Sequence, residues 1–209
     1  RIGTAVMILP FYNPLRLAED AATVDILSNG RLKLGVGRGY QPIEFKGFGI
    51  DQSEARARFN ETVEILKQAW QEGEVNFQGQ FYRYEGVKIF PRPVQKEAPL
   101  HFAAVSTETF EMNGRLGRPI LTSPNFTPMD IMKENFDVYR SALRENGFDP
   151  RNFSFPLMQQ VHVAESPEEA KRNSVENSEW YYRLLASLLP GSRGEKVAEE
   201  YKFYEKSRR

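Results

Sequence analysis

Cysteine is absent from the 209 residues, which removes thiolate nucleophiles, disulfides, zinc–thiolate sites and iron–sulfur clusters from this chain. Redox chemistry would then have to reside on a bound organic cofactor. An excess of charge of either sign is also missing: 28 basic and 28 acidic residues leave the chain formally neutral, so bulk electrostatics favour neither a nucleic acid nor an anionic membrane as partner. No apolar run is long enough to cross a bilayer, and the opening residues lack the charged–apolar–small pattern of a secretory signal, so a cytoplasmic location is expected. Repeats and low-complexity tracts are lacking as well. The start RIGTAVMILP has no initiator Met and reads as strand from its first residues, which predicts a natural N-terminus further upstream.

What is present is a regular alternation of strand and helix. Ile2 to Leu9 is a short apolar run bounded by prolines, the pattern of a parallel strand buried on both faces. Asn13 is placed as N-cap and Pro14 as first helical residue, with Leu17, Ala21 and Val24 at helical spacing until Asn29-Gly30 supplies a left-handed stop. Arg31 to Val36 is the second strand. Ser53 is placed as the cap of a long helix striped by Phe59, Val63, Leu66 and Trp70, ending near Gly73. Residues 74–97 alternate aromatic and polar around Gly79 and Gly86, a β-excursion. Leu100 to Val105 is the third buried strand, followed by a short helix from Ser106-Thr107, and Pro119 to Thr122 is the fourth. Met132, Phe136, Tyr139 and Leu143 stripe the next helix up to Gly147. Phe155 to Ala164 reads as a fifth strand, and Ser166-Pro167-Glu168-Glu169 as a capping box. The basic end, Lys206 to Arg209, reads as a solvated tail.

Strands alternating with helices argue for an α/β fold with a parallel sheet, either an open doubly wound one or a closed eight-stranded barrel. Ligands in both architectures bind just after the strands. The segment GVGRGYQPIEF, Gly35 to Phe45, follows a strand directly. Tyr40 stands where a dinucleotide fingerprint needs its third glycine. What remains is a tight turn whose amides flank Arg38, a side chain suited to phosphate, or alternatively glycines serving strand–helix packing and an Arg38 paired with a carboxylate. Ser106-Thr107-Glu108-Thr109, at another strand end and helix start, is either a second anion-compatible end or a plain N-cap. Among carboxylates only Glu44 follows a strand end closely. His101, at a strand start, reads as structural; His162, mid-strand, would face a barrel interior if the sheet closed. No metal site is expected.

The run GTAVMILPFYNPLRLAEDAATVDILSNGRLKLGVGRGYQPIEFKGFG, continued by Pro93 to Thr109, resembles the bacterial luciferase-like flavin monooxygenases, in register over roughly the first 125 residues. The resemblance implies a (β/α)8 TIM barrel, present here as an incomplete segment of about strands 3 to 7 in one domain spanning residues 1–209, with 74–97 as an excursion within it. It implies that Arg38, with Gly39, binds the phosphate of FMN and that Ser106 and Thr109 complete that site. It also implies a non-proline cis peptide at Ala5–Val6 against the flavin ring, and an apolar wall for which Met7, Leu9, Phe11 and Phe126 are candidates, with Glu44 nearby. Light-emitting members carry a glutamate where this chain has Val105 and a reactive cysteine where it has Gly37, so luminescence is not expected. No catalytic acid or base is assigned, since the family's usual histidine lies outside this segment.

The activity implied is two-component: reduced FMN, supplied by a separate flavin reductase, reacts with O2 and oxygen enters a small organic substrate. Near alternatives on the same fold are a deazaflavin-dependent hydride-transfer enzyme and a non-catalytic flavin-binding partner subunit; a phosphate-binding barrel unrelated to flavin is the more distant one. A homodimer through the helices at 14–28 and 53–72 is also implied.

Overall fold

The computed structural model describes residues 1–206 except Phe126 and Glu195, so the proposed wall residue Phe126 and the tail residues 207–209 lie outside the described residues. The run from Ile2 to Leu9 forms two short strands instead of one, β1 (Ile2–Gly3) and β2 (Met7–Ile8), separated by a cis Ala5–Val6 peptide. Both pair in parallel with β3 (Leu32–Gly37), through Ile2↔Leu32 and Met7↔Val36. Burial on both faces is corrected at β1, where Ile2 is 52% exposed. Among the described residues β1 is the edge of the sheet, with a neighbour on one side only.

Helix α1 (Pro14–Leu27) begins as its local chemistry dictates: Asn13 Oδ1 accepts from the Leu15 and Arg16 amides at 3.0 and 3.1 Å. It stops at Asn29 and Gly30, whose φ values are 52° and 69°. After β3 comes α2 (Pro42–Gly47), a short helix not anticipated, with Pro42 in its first turn. Helix α3 (Ala55–Gln71) is not capped by Ser53. Asp51 takes that role for a 3-10 turn leading into it, and its Oδ1 accepts from both the amide and the hydroxyl of Ser53 at 2.8 Å. Ser53 lies inside that turn, so Glu54 and not Ser53 stands directly before α3. Val63, Leu66 and Trp70 are nearly fully buried against Leu9, Leu34 and Val36, each contributing about 1.5–3 kcal/mol of hydrophobic stabilisation.

Strands β4 (Glu74–Gln78) and β5 (Arg83–Lys88) form an antiparallel hairpin within the 74–97 segment. Glu61 of α3 holds its tip, accepting from the amides of Gln80, Phe81 and Tyr82 at 2.7–3.1 Å. The return loop is anchored by Asp25, fully buried on α1, which accepts from the amides of Val94 and Gln95 at 2.9 Å and from the Gln95 side chain at 2.7 Å. A buried carboxylate with three donors is satisfied, so it fixes the loop instead of destabilising it.

Strand β6 (Leu100–Ala103) pairs with β3, and β7 (Ile120–Leu121) pairs with β6, both in parallel. Helix α4 (Thr107–Arg115) connects them, and α5 (Met129–Glu145) follows β7. Met132, Tyr139 and Leu143 of α5 are buried as their spacing requires. The fifth strand is corrected: of Phe155 to Ala164 only Leu157 makes a bridge, to Thr122, while Val161 and Val163 are 76% and 84% exposed. A two-residue β7 offers too short a ladder to hold a longer neighbour. His162 is consequently exposed and faces no barrel interior. Helix α6 (Pro167–Leu188) starts at Ser166, whose Oγ accepts from the Glu169 amide at 3.2 Å. Among the described residues no helix is long and apolar enough to cross a membrane.

Strand order follows chain order, β1-β3-β6-β7, with no reversal. A doubly wound sheet reverses at a switch point and carries helices on both faces; a barrel does neither. The residues that alternate outward, Leu32, Leu34 and Val36 with Leu100 and Phe102, are buried beneath α1 and α3, whereas the inward Lys33 and His101 stay half-buried. This is a barrel segment, helices outside.

Backbone crowding between the first segment and β3 yields the first prediction. A Cβ on Gly35 would collide with the Thr4 carbonyl oxygen and with Leu121 Cδ2, while one on Gly47 meets nothing within 4 Å. Gly35→Ala should lower stability by at least about 2 kcal/mol, and Gly47→Ala should be neutral or stabilising by up to about 1 kcal/mol. Urea unfolding of both variants checks the contrast, and equal effects would contradict it.

Candidate active site

Strand β3 leaves the sheet through Gly37, Arg38 and Gly39, and Gly39 has a φ of 82° that only glycine adopts without strain. A side chain there would also strike Ile8 Cγ2 at 2.7 Å. The turn is therefore pressed against β2 and aims Arg38 past the carboxyl end of the sheet. Gln52 fixes its far side by donating to the Tyr40 carbonyl at 3.1 Å. The Arg38 guanidinium lies 4.7 Å from the ring centre of Tyr201, and the Tyr40 ring stacks on Tyr204 at 4.8 Å and 18°. Tyr201 closes a 3-10 turn (Glu199–Tyr201) and Tyr204 belongs to α7 (Lys202–Lys206).

The adjacent strand β6 ends at Ala103, and the Cβ of Ala103 stands 3.7 Å from where a Gly37 Cβ would be. Four residues later, at Thr107, α4 begins, so its N-terminus and the Arg38 turn share one end of neighbouring strands. Ser106 and Thr109 form a reciprocal box: Ser106 Oγ accepts from the Thr109 amide at 3.4 Å, and Thr109 Oγ1 accepts from the Ser106 amide at 3.1 Å. The Val105 amide also donates to Thr109 Oγ1, at 3.2 Å. By helix geometry the amides of Thr107 and Glu108 remain for an anion. Both residues are exposed. Thr107 Oγ1 donates to Asn135 Oδ1 at 2.7 Å, and the Asn135 amide nitrogen is buried without an acceptor. A cation, a glycine turn and a helix N-terminus with a buried spare donor behind it are the donor set a phosphate requires.

The cis bulge stands beside this end. Val6 packs over β3, its Cγ2 2.7 Å from a Cβ on Gly37, and Ala5 is exposed. Thr4 Oγ1 donates to the Gly35 carbonyl at 2.8 Å and holds the bulge down. Thr4, Ala5, Gly35, His101, Leu121 and Met158 line a cavity of about 270 Å³ that runs from the bulge along the inner sheet face. Burial lowers the His101 pKa, with the nearby Lys33 charge acting in the same direction. His101 is thus part of that lining.

The proposed wall residues separate. Leu9 is corrected: it is fully buried in the main core and out of a ligand's reach. Met7 packs half-buried against the same core. Phe11 is half-buried, edge-on to Phe45 at 4.9 Å and stacked on Phe48 at 4.5 Å, so α2 and the turn after β2 make an aromatic wall. Glu44 lies on α2 with one oxygen buried and unpartnered, and burial raises its pKa. Among the described residues no group of three or more His, Asp or Glu side chains could hold a metal ion.

Sequence reasoning missed Tyr201 and Tyr204, because no local pattern marks aromatic residues that reach an element so distant in the chain. The second prediction concerns Glu44. A carboxyl whose folded pKa is raised loses stability as pH rises from its unfolded pKa through the folded one. Glu44→Gln should gain stability relative to the native chain at about pH 7 and gain none at about pH 4; a gain equal at both, read from urea midpoints, would contradict the assignment.

The family model described as luciferase-like monooxygenase matches residues 1–209. The alkanal monooxygenase alpha chain of the Kryptophanaron alfredi symbiont is 30% identical over 81% of this chain and 48% of its own length. The oxygenase component of the flavin-dependent trigonelline monooxygenase of Acinetobacter baylyi is 28% identical over 87% of this chain and 51% of its own. The chain thus spans about half the length of these curated relatives. Among solved structures, monooxygenase RslO1 from Streptomyces bottropensis superposes with a TM-score of 0.82 at 32% identity, covering 92% of this chain and 59% of its own. The fold is shared with the oxygenating constituent of 3,6-diketocamphane monooxygenase from Pseudomonas putida in complex with FMN (TM-score 0.74, 21% identity, 88% of this chain and 55% of that one). It is shared too with an F420-dependent secondary alcohol dehydrogenase (0.69, 19%, 99% and 61%).

Proposed function

Since the chain belongs to the luciferase-like monooxygenase family, we propose that it forms the flavin-binding part of a monooxygenase that uses reduced FMN and O2 to oxygenate a small organic substrate. The observation that carries this is the convergence of the Arg38 turn and the α4 N-terminus at one end of adjacent strands, beside the Ala5–Val6 bulge. Arg38 contributes the positive charge at the phosphate, with the amides of Thr107 and Glu108 completing the cradle. Ser106 and Thr109 act by shaping that helix start, since their hydroxyls are engaged with each other's backbone. The bulge backs the ring, and Phe11 with Phe45 and Phe48 keeps water from it on one side. Reduced FMN supplies the electrons and the centre at which O2 is activated.

A flavin reductase supplies the reduced cofactor, in keeping with the oxygenase-component relative. A homodimer forms through α1 and α3, where Val24, Ile26 and Leu27 of α1 are 39%, 39% and 81% exposed.

Two measurements test the reading. FMN should bind more tightly than riboflavin, and Arg38→Ala should erase about a 10- to 100-fold advantage, the worth of a charge-assisted pair; equal affinities in the native chain would contradict the phosphate role. With reduced FMN and 18O2, a product carrying one labelled oxygen establishes the monooxygenase, whereas turnover with reduced F420 and no oxygen incorporation would replace it with hydride transfer.

A further inference from the structure

Behind the N-terminus of α4 lies a polar pair that the fold leaves incompletely used. Asn135 of α5 is 2% exposed, and its side-chain Oδ1 accepts from the Thr107 hydroxyl at 2.7 Å. The other half of that amide, Nδ2, is buried without an acceptor. Helix packing holds the pair together. A Cβ on Gly114 of α4 would strike the Tyr139 carbonyl oxygen and Ala142 of α5 at 2.7 Å, and Phe110 of α4 shares a core cluster with Tyr139 and Leu143 of α5. Thr107 is exposed and is the first residue of α4, so its hydroxyl stands between the buried amide and the open helix end.

An amide carries two N–H donors and a hydroxyl carries one, while the hydroxyl oxygen also accepts. As the pair stands, the Thr107 proton is spent inward on Asn135 and the amide donors are left over, an arrangement rare among buried groups. Turning the amide over reverses the bond: Nδ2 then donates to Thr107 Oγ1, and the hydroxyl proton is released outward. The reversal gains nothing until an acceptor stands before Thr107. An anion there tips it, because a hydroxyl donating to a charged oxygen makes the stronger bond. We propose that Thr107 and Asn135 form a donor relay for the phosphate at this helix end, Asn135 Nδ2 donating to Thr107 Oγ1 and the Thr107 hydroxyl donating to a phosphate oxygen. Thr107 thus meets the phosphate with its hydroxyl as well as its amide, and Asn135 is a positioning residue that acts through it. The two bonds run in one direction and polarise each other. The inference rests on the reading of the α4 N-terminus as part of the phosphate cradle, adds a side-chain contact to it, and asks nothing further of Arg38.

The test is equilibrium binding of FMN and of riboflavin, whose affinity ratio isolates the phosphate, to the full chain and to its Thr107→Val, Thr107→Ser and Asn135→Asp variants. Valine keeps the size and the backbone amide of this exposed residue and removes only the hydroxyl. Thr107→Val should lower the ratio by about tenfold or more, the worth of a hydrogen bond to a charged group, and Thr107→Ser should keep it. Asn135→Asp introduces a carboxylate, which only accepts, so it holds the hydroxyl inward and should lower the ratio at least as far. Its effect should shrink once Thr107→Val has removed the hydroxyl, since part of it passes through that group. An unchanged ratio in Thr107→Val would overturn the relay. So would an Asn135→Asp effect of equal size in both backgrounds, the mark of charge or packing acting without Thr107. In either case a native preference for FMN leaves the phosphate cradle standing on its amides and Arg38. A native chain that binds FMN no better than riboflavin removes the cradle, and the relay with it.

Discussion

The structure depends on one close approach, that of the backbone at Thr4 to Val6 to the glycines of β3. Gly35 has no room for a Cβ beside the Thr4 carbonyl, and Gly37 has none beside Val6. The Thr4 hydroxyl fastens the two segments by donating to the Gly35 carbonyl. Because the bulge occupies this space, the first segment pairs with β3 in two pieces, below it through Ile2 and above it through Met7. The upper piece sets Ile8 against Gly39 and so fixes where the Arg38 turn begins. A side chain larger than hydrogen at Gly35 or Gly37 would lift the bulge off β3 and move the Arg38 turn with it.

Around this contact the helices supply rigidity from one side only. Leu34, Val36 and Phe102 face α1 and α3, and Asp25 ties the loop returning from the hairpin to the same layer. Trp70 joins that anchor, its indole donating to the Gln95 carbonyl at 2.9 Å. Strand ends held this firmly keep the turn after β3 and the start of α4 at a constant spacing, which is the condition for pre-organised anion binding. The inner face, carrying Lys33 and His101, is left to line the cavity beside the bulge.

Much of this was legible because it is local. Asn13 before Pro14, the stripe of Val63, Leu66 and Trp70, and the glycine stops of α1 and α5 are each settled within a few residues of chain, and the structure keeps them. The Gly–Arg–Gly turn announced itself by composition. Strand length was not legible, since a strand exists only against a partner: Phe155 to Ala164 has the apolar character and lacks a long enough neighbour. Leu9 looked like a wall residue because it follows a strand, yet the 3-10 turn from Leu9 to Phe11 rotates it into the core and leaves Phe11 at the surface of the site. Asp51 displaced Ser53 as a cap because Ser53 lies inside the 3-10 turn that leads into α3. The tyrosines over Arg38 carry no local signal at all.

The most direct measurement is a crystal structure of the protein with FMN bound. The phosphate should lie between the Arg38 guanidinium and the amides of Thr107 and Glu108, with the ring against the Ala5–Val6 peptide. A phosphate held elsewhere, or a ring that leaves that peptide uncovered, would contradict the assignment of this end of the sheet as the flavin site.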